Sequence, residues 1–205
     1  MLNMLLDPIR SRLHARRREK WYRMRGLESA RLIPTHMTEP EKVSLFELAA
    51  MSREKGDVLE IGSYVGASTC YLSAGLRGSD SRVYCVDTWN NETMPDGVRD
   101  TYHEFMTNTT SFRNEIVPVR KRSEALERAD VGARIGLVFL DGDHSYEAVS
   151  REILLLTEWM AKGSIMALHD ILYFDGVVRA YCEAVAGGIW LPRGQTNNLI
   201  WMEKR

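Results

Sequence analysis

The stretch VLEIGSYVGAST at residues 58–69 decides the fold, because it joins a strand-like run to a helix-like run through two glycines. Residues 57–62 are predicted as a strand and residues 66–76 as a helix. Gly62 and Gly66 allow a tight turn and a close approach to a ligand, and the helix start presents free N–H groups. A dinucleotide fingerprint would need a glycine where Tyr64 stands, which argues against a nicotinamide-dependent dehydrogenase.

Strand-like and helix-like segments alternate on both sides of this stretch. The alternation predicts an α/β, Rossmann-like, doubly wound and mostly parallel sheet with helices on both faces. Pro118 indicates an edge position for its strand. A predicted hairpin loop, PRGQTNN, separates the last two strand-like runs. The further predicted strands are 82–87, 115–120, 135–141, 163–169, 188–191 and 199–203, and the further helices are 38–55, a short one near 98–107, 145–161 and 176–186.

Composition limits the class of protein. The 205 residues are 44% hydrophobic and 27% charged, an ordinary globular balance. No apolar run approaches the roughly 18–20 residues of a membrane span. The three cysteines form no CxxC pair, so a disulfide framework or zinc knuckle is not expected. Positive charges follow the apolar start, whereas a signal peptide places them before it, and we therefore expect a cytoplasmic protein.

A basic segment precedes a mildly acidic body. Residues 10–25 hold eight basic residues and one acidic residue, although the whole chain has a net charge of −1. We therefore divide the chain into a basic helical N-terminal arm, 1–37, and one domain, 38–205. The arm is expected to pack its few apolar side chains on the domain or on a second subunit, which would give a homodimer. Weak contact with a membrane surface and nucleic-acid binding are the alternatives for the arm, but the acidic body argues against a nucleic-acid partner.

Polar residues stand where the predicted strands end, and ligands of open parallel sheets bind outside those ends. Glu60 lies just before the glycine loop and is a candidate to receive a cationic amino group. Asp87 follows the loop by about 20 positions, the spacing of an acid that binds ribose hydroxyls. Ser123 is a candidate to contact an adenine edge, with a helix N-cap as the alternative.

Acids and histidines end the fourth and fifth predicted strands. The runs Asp141-Gly142-Asp143-His144 and His169-Asp170 offer carboxylate and imidazole ligands that suit a divalent cation. Asp143 is also typical of a turn, and a lone His144 would ordinarily be a surface histidine. Because His144 follows a candidate ligand by three residues, general-base chemistry is the favoured interpretation.

Four runs together resemble the class I S-adenosylmethionine-dependent methyltransferases, and more closely the small-molecule O-methyltransferase branch that includes macrolide- and sugar-modifying enzymes. They are VLEIGSYVGAST, VYCVDTW, LVFLDGDHSYEAV and GSIMALHD. The resemblance covers about residues 38–203. It implies a seven-stranded sheet whose final strand is antiparallel, in agreement with the terminal hairpin.

The resemblance also implies roles for individual residues. It places Glu60, Gly62 and Gly66 at the methionine part of S-adenosylmethionine, Asp87 at the ribose and Ser123 near adenine. The cofactor-binding set is completed by Ser63, Ser68 and Asp141. In the metal-dependent relatives, the positions that bind magnesium fall here on Asp141, His169 and Asp170, and the general base falls on His144.

The expected activity is methyl transfer to a hydroxyl of a small molecule, a sugar or a natural product, assisted by Mg²⁺ or another divalent cation. Alignment of the acceptor oxygen with the methyl group and removal of its proton are the two tasks of such an enzyme. The alternative is a non-catalytic, cofactor-binding subunit that docks a partner through its N-terminal helix.

Overall fold

The computed structural model describes residues 16–91 and 97–205, which contain a seven-stranded sheet. Its strand order is β3-β2-β1-β4-β5-β7-β6, and β7 is antiparallel to both of its neighbours while the other pairs are parallel. This confirms the predicted fold, including the antiparallel final strand. The strands are β1 (Asp57–Ile61), β2 (Val83–Asp87), β3 (Ile116–Arg120), β4 (Ile135–Leu140), β5 (Met160–Leu168), β6 (Trp190–Thr196) and β7 (Leu199–Lys204).

Helices cover both faces of the sheet. They are α1 (residues 16–25), α2 (Glu39–Ser52), α3 (Ala67–Leu76), α4 (Tyr102–Asn108), α5 (Tyr146–Trp159) and α6 (Asp175–Ala186). Alternate residues of a strand face opposite ways, so Val58 packs with α2 and α3 while Leu59 packs with α5 and α6. Every residue of β4 is buried, as expected for a strand covered on both faces.

At two boundaries a predicted helix or loop is a strand instead. The helix expected to reach residue 161 ends at Trp159, because Met160 adopts extended geometry and pairs with Ile135 at the start of β5. The expected loop at 192–198 mostly belongs to β6. Pro192 is accommodated because β6 is an edge strand, and a bulge follows between Pro192 and Gly194. Pro118 also lies in an edge strand, β3, as predicted.

The described part of the arm packs on the domain. Tyr22, Leu27 and Ile33 are buried in the same core as α2 and α3. The hydroxyl of Tyr22 donates to Glu39, which also accepts a hydrogen bond from the hydroxyl of Tyr71 at 2.8 Å. The first 15 residues of the predicted arm lie outside the described residues. Within residues 16–91 and 97–205, no helix is both long and apolar enough to cross a bilayer.

Candidate active site

A cavity of about 650 Å³ opens at the carboxyl ends of the parallel strands. Its size is within the range of small-molecule sites, and its position is the one at which open α/β sheets bind ligands. The walls come from the glycine loop, the residues that follow β2, β3, β4 and β5, and residues 34–37 between the arm and α2. The strand ends singled out in the sequence therefore meet in one place.

The loop after β1 needs its two glycines for steric reasons. Gly62 has a φ of +86°, and a Cβ atom there would lie 2.2 Å from the carbonyl oxygen of Asp141. Gly66 has a φ of +92°, and its Cβ would lie 2.5 Å from Cγ2 of Thr109. A side chain at either position would separate segments that now touch. The glycines thus let β1, β4 and α4 converge beside the cavity.

Asp87 holds this loop from the neighbouring strand. Its Oδ2 accepts hydrogen bonds from the backbone N–H groups of Ser63 and Tyr64, both at 2.8 Å, and its Oδ1 accepts one from Trp89 at 2.6 Å. Asp87 also lines the cavity. The carboxylate predicted to bind a ribose therefore has a second task, since it fixes the backbone of Ser63 and Tyr64.

Glu60 is fully buried beneath the loop. It accepts hydrogen bonds from the hydroxyls of Ser63 at 2.7 Å, Ser68 at 2.6 Å and Thr69 at 2.5 Å. Burial raises the pKa of Glu60 to about 6, although the three hydroxyls oppose that change. Ser63 and Ser68 line the cavity, whereas Glu60 and Gly66 do not. Glu60 accordingly acts on the cavity through the hydroxyls that it orients.

Two carboxylates and two imidazoles lie together where β4 and β5 end. Nε2 of His144 is 3.0 Å from Oδ2 of Asp170 and 3.9 Å from Oδ1 of Asp141. Nδ1 of His169 is 3.2 Å from Oδ1 of Asp141 and 3.3 Å from Oδ1 of Asp170. Each imidazole therefore faces both acids. We call Asp141, His144, His169 and Asp170 the acid–imidazole cluster.

The cluster shifts the pKa values of its own members. Burial lowers the pKa of both imidazoles, but hydrogen bonds and charge attraction from Asp141 and Asp170 outweigh it and raise the pKa to about 9 for His144 and about 10 for His169. The pKa of Asp170 falls well below its usual range, because the imidazoles overcome the effect of burial. The neighbouring acids therefore favour the protonated form of both imidazoles.

Part of the cluster fits a metal ion. Ligand atoms of Asp141, His144 and Asp170 all lie within 4.8 Å of one another, and oxygen with nitrogen donors suits a divalent cation. His169, expected from the sequence as the third ligand, lies deeper. Its side chain is 3% exposed, and its Nε2 is 3.6 Å from Oε2 of Glu41 in α2. The structure thus groups His144, the expected base, with the two acids.

The sequence gives no signal for two further residues at the cluster. Nδ2 of Asn198, in the β6–β7 turn, donates to Oδ1 of Asp170 at 2.6 Å, and its Oδ1 accepts from the N–H of Leu172 at 2.7 Å. Phe174 stacks on His144 with ring centroids 4.4 Å apart. Asn198 and Asp170 are 28 residues apart, so no local pattern marks their contact. Asn198 fixes Asp170, whose backbone has a φ of +62°.

Ser123 lies in the cavity wall formed by the loop after β3. It is the first residue of a short 3-10 turn, Ser123–Ala125, and Arg122 occupies the N-cap position. The alternative role of Ser123 as an N-cap therefore does not apply. The same wall includes Glu152 from α5.

Comparison with known proteins adds a family and a fold. Residues 59–171 match the family model described as methyltransferase domain. The structure is similar to the O-methyltransferase TomG from Streptomyces achromogenes, involved in tomaymycin synthesis and solved with SAM (14% identity, 82% of each chain, TM-score 0.60). It is also similar to CalS11, a TDP-rhamnose 3′-O-methyltransferase of calicheamicin biosynthesis (18% identity, 80% of this chain and 78% of that one, TM-score 0.61). A third is an O-methyltransferase from Bacillus cereus in complex with SAH (15% identity, 91% and 90%, TM-score 0.60).

Proposed function

The chain belongs to the methyltransferase domain family, and from that premise we propose that it transfers a methyl group from S-adenosylmethionine to a hydroxyl oxygen of a small molecule. The observation that carries the proposal is the meeting of the glycine loop and the acid–imidazole cluster in one cavity. A donor site and a proton-handling site must adjoin for this reaction, since the acceptor oxygen has to lie in line with the methyl group.

The glycine loop and the residues around it suit the cofactor, which supplies an electrophilic methyl group when bound. Ser63 and Ser68 offer hydroxyls at the cavity wall, and Gly62 leaves the backbone approachable. The carboxylate of Asp87 has about four lone-pair sites, of which three accept backbone N–H groups. The remaining capacity suits a ribose hydroxyl. Ser123 is assigned to the adenine end of the cavity.

Asp141 and Asp170 are proposed as carboxylate ligands of Mg²⁺ or another divalent cation, which would lower the pKa of an acceptor hydroxyl when bound. The sequence favours His169 as the third ligand and His144 as the general base. Asp141 and Asp170 raise the pKa of His144 to about 9, so a cation that engaged these two carboxylates would lower that pKa and help His144 to accept a proton. Both assignments therefore depend on the cation.

The acceptor is proposed to be a sugar or a hydroxylated natural product. Two of the O-methyltransferases of similar fold are named for tomaymycin synthesis and for TDP-rhamnose. Tyr173 and Phe174 line the cavity beside His144, and their side chains are exposed, so they suit the apolar face of a ring. Four further properties stay proposals. The protein is proposed to have no nucleic-acid partner, to make weak contact with a membrane surface through its arm, to form a homodimer and to be cytoplasmic.

Calorimetric titration tests the proposal. S-adenosylmethionine and then MgCl₂ are titrated into the protein and into the Asp141→Ala, His144→Ala and His169→Ala variants, with Asp143→Asn as the control. We expect cofactor binding in all of them, weaker in Asp141→Ala because Asp141 also belongs to the predicted cofactor-binding set. We expect loss of metal binding in Asp141→Ala and His169→Ala but not in His144→Ala or the control.

Each other outcome has a distinct meaning. Loss of metal binding in His144→Ala instead of His169→Ala would make His144 a ligand and refute its role as the base. Cofactor binding without any metal binding would refute the metal-assisted mechanism but would remain consistent with methyl transfer from S-adenosylmethionine. No binding of the cofactor would refute the proposed activity and would equally refute a cofactor-binding subunit.

A further inference from the structure

Glu152 is a buried carboxylate in the wall of the cavity, and nothing in the proposed reaction uses it. It lies in α5, its residue surface is only 4% exposed, and it lines the cavity together with Ser123. Its Oε1 atom has no hydrogen-bond partner among the described residues. Burial raises the pKa of Glu152 to about 7, with hydrogen bonding from Ser123 opposing the change.

An unpartnered buried oxygen of this kind costs the fold free energy, because the atom has lost its water without gaining a donor. Such an atom in a native protein calls for an explanation, and a missing ligand is one of the usual ones. Rotation about the last side-chain bond of Glu152 exchanges its two oxygens, since that torsion is broad. Either oxygen can therefore meet a donor that enters the cavity.

The position of Glu152 indicates what the donor is, given the proposed function. Asp87, assigned to the ribose, is the last residue of β2, while Ser123 and its neighbours follow β3 at the edge of the sheet. A nucleoside whose ribose lies at Asp87 extends its base toward Ser123, and thus toward Glu152. At that end the adenine ring carries an exocyclic amino group, which is an N–H donor that matches a carboxylate.

A second glutamate at this end is less suited to the task. Glu124 also lines the cavity, but half of its side chain is exposed and it pairs with Arg151 at 3.3 Å. An exposed and ion-paired carboxylate is hydrated, so it gains little from one more donor. Glu124 therefore provides a matched control for Glu152.

We propose that Glu152 accepts a hydrogen bond from the 6-amino group of adenine and so makes the protein select adenine over hypoxanthine in its cofactor. This inference rests on the proposed function, because it needs S-adenosylmethionine in the cavity. It assigns Glu152 as a specificity-determining residue with no part in the transfer step itself.

The test compares S-adenosylhomocysteine with S-inosylhomocysteine, in which an oxo group replaces the 6-amino group. Both are titrated calorimetrically at pH 8 into the wild-type protein, Glu152→Gln and Glu124→Gln, after thermal melting has shown that each variant folds. We expect the wild type to bind the adenine compound about 10- to 100-fold more tightly, since an oxo group facing the carboxylate leaves two acceptors opposed. Glu152→Gln can turn an amide N–H toward the oxo group, so its preference falls to about threefold or less, while Glu124→Gln keeps the wild-type ratio.

Three results would overturn the inference. Equal binding of the two compounds by the wild type would do so without any variant. An unchanged ratio in Glu152→Gln would do so as well, and so would a ratio lost in Glu124→Gln. Failure of the wild type to bind S-adenosylhomocysteine at all would refute the proposed function, and the inference would fall with it.

Discussion

Replacing Gly62 by alanine tests whether the close contact between the ends of β1 and β4 holds the site together. The added Cβ would lie 2.2 Å from the carbonyl oxygen of Asp141 and 2.8 Å from Cα of Gly142. Both atoms belong to the backbone, so no side chain can turn aside. The variant must either separate the two strand ends or change the conformation of the loop.

Gly78 provides the matched control. It has the same φ, +86°, but a Cβ there would have nothing within 4 Å. An L-residue at such a φ costs about 1–2 kcal/mol, which both variants incur. Gly62→Ala adds overpacking of about 1–3 kcal/mol, so we expect it to lose about 2–5 kcal/mol in free energy of unfolding.

Thermal and urea unfolding measure the difference. At about 2–4 °C per kcal/mol for a chain of this size, Gly78→Ala should lower Tm by about 2–8 °C and Gly62→Ala by about twice as much. Gly62→Ala should also weaken binding of S-adenosylhomocysteine, because Gly62 lines the cavity. Equal losses of stability, with nucleoside binding intact in both variants, would refute the steric account of this loop.

Three further predictions concern the cavity. His144→Ala should lower turnover while the dissociation constant of S-adenosylmethionine stays nearly unchanged; an equal loss of both would indicate a structural role. Asn198→Ala should weaken Mg²⁺ binding at least about tenfold, because Asp170 loses a charge-assisted hydrogen bond, whereas Asn197→Gly, which suits the positive φ there, should not. The pKa of Glu60 rises from 4.5 to about 6 on folding, so the wild type loses free energy of unfolding as pH rises through that interval and Glu60 ionises. Glu60→Gln does not ionise, so between pH 4 and 7 its free energy of unfolding should increase by about 2 kcal/mol relative to the wild type in urea titrations. Parallel pH profiles for the two proteins would contradict this last prediction.

The strands and the glycine loop could be predicted because their signals are local. Residues 135–140 are nearly all apolar, and the structure buries all six on both faces of the sheet. Gly62 and Gly66 mark a turn that only glycine adopts without strain. The misplaced boundaries at Met160 and Pro192, in contrast, depend on contacts between strands. Pairing with Ile135 extends β5 to Met160, and a bulge at the free edge of the sheet admits Pro192, so both depend on strand neighbours that a sequence does not show.

The acid–imidazole cluster shows the same limit more sharply. Its four members follow two strands, and that placement was sufficient to predict that they meet. The residues that contact them were not predictable, because both are distant in sequence. Asn198 approaches Asp170 from the β6–β7 turn, and Glu41 approaches His169 from α2, more than 100 residues earlier in the chain.

Glu41 makes the physical reason clear. Thr38 and Glu41 have the spacing of a capping box at the start of α2, and Oε2 of Glu41 accepts the N–H of Thr38 at 2.5 Å. The same carboxylate also accepts the N–H of Asn198 through Oε1 at 2.7 Å and faces Nε2 of His169. A helix cap therefore also joins the β6–β7 turn to the site. A four-residue spacing in the sequence indicates the role of Glu41 as a helix cap. Its contacts with Asn198 and His169 form only when α2, β5 and the β6–β7 hairpin pack together.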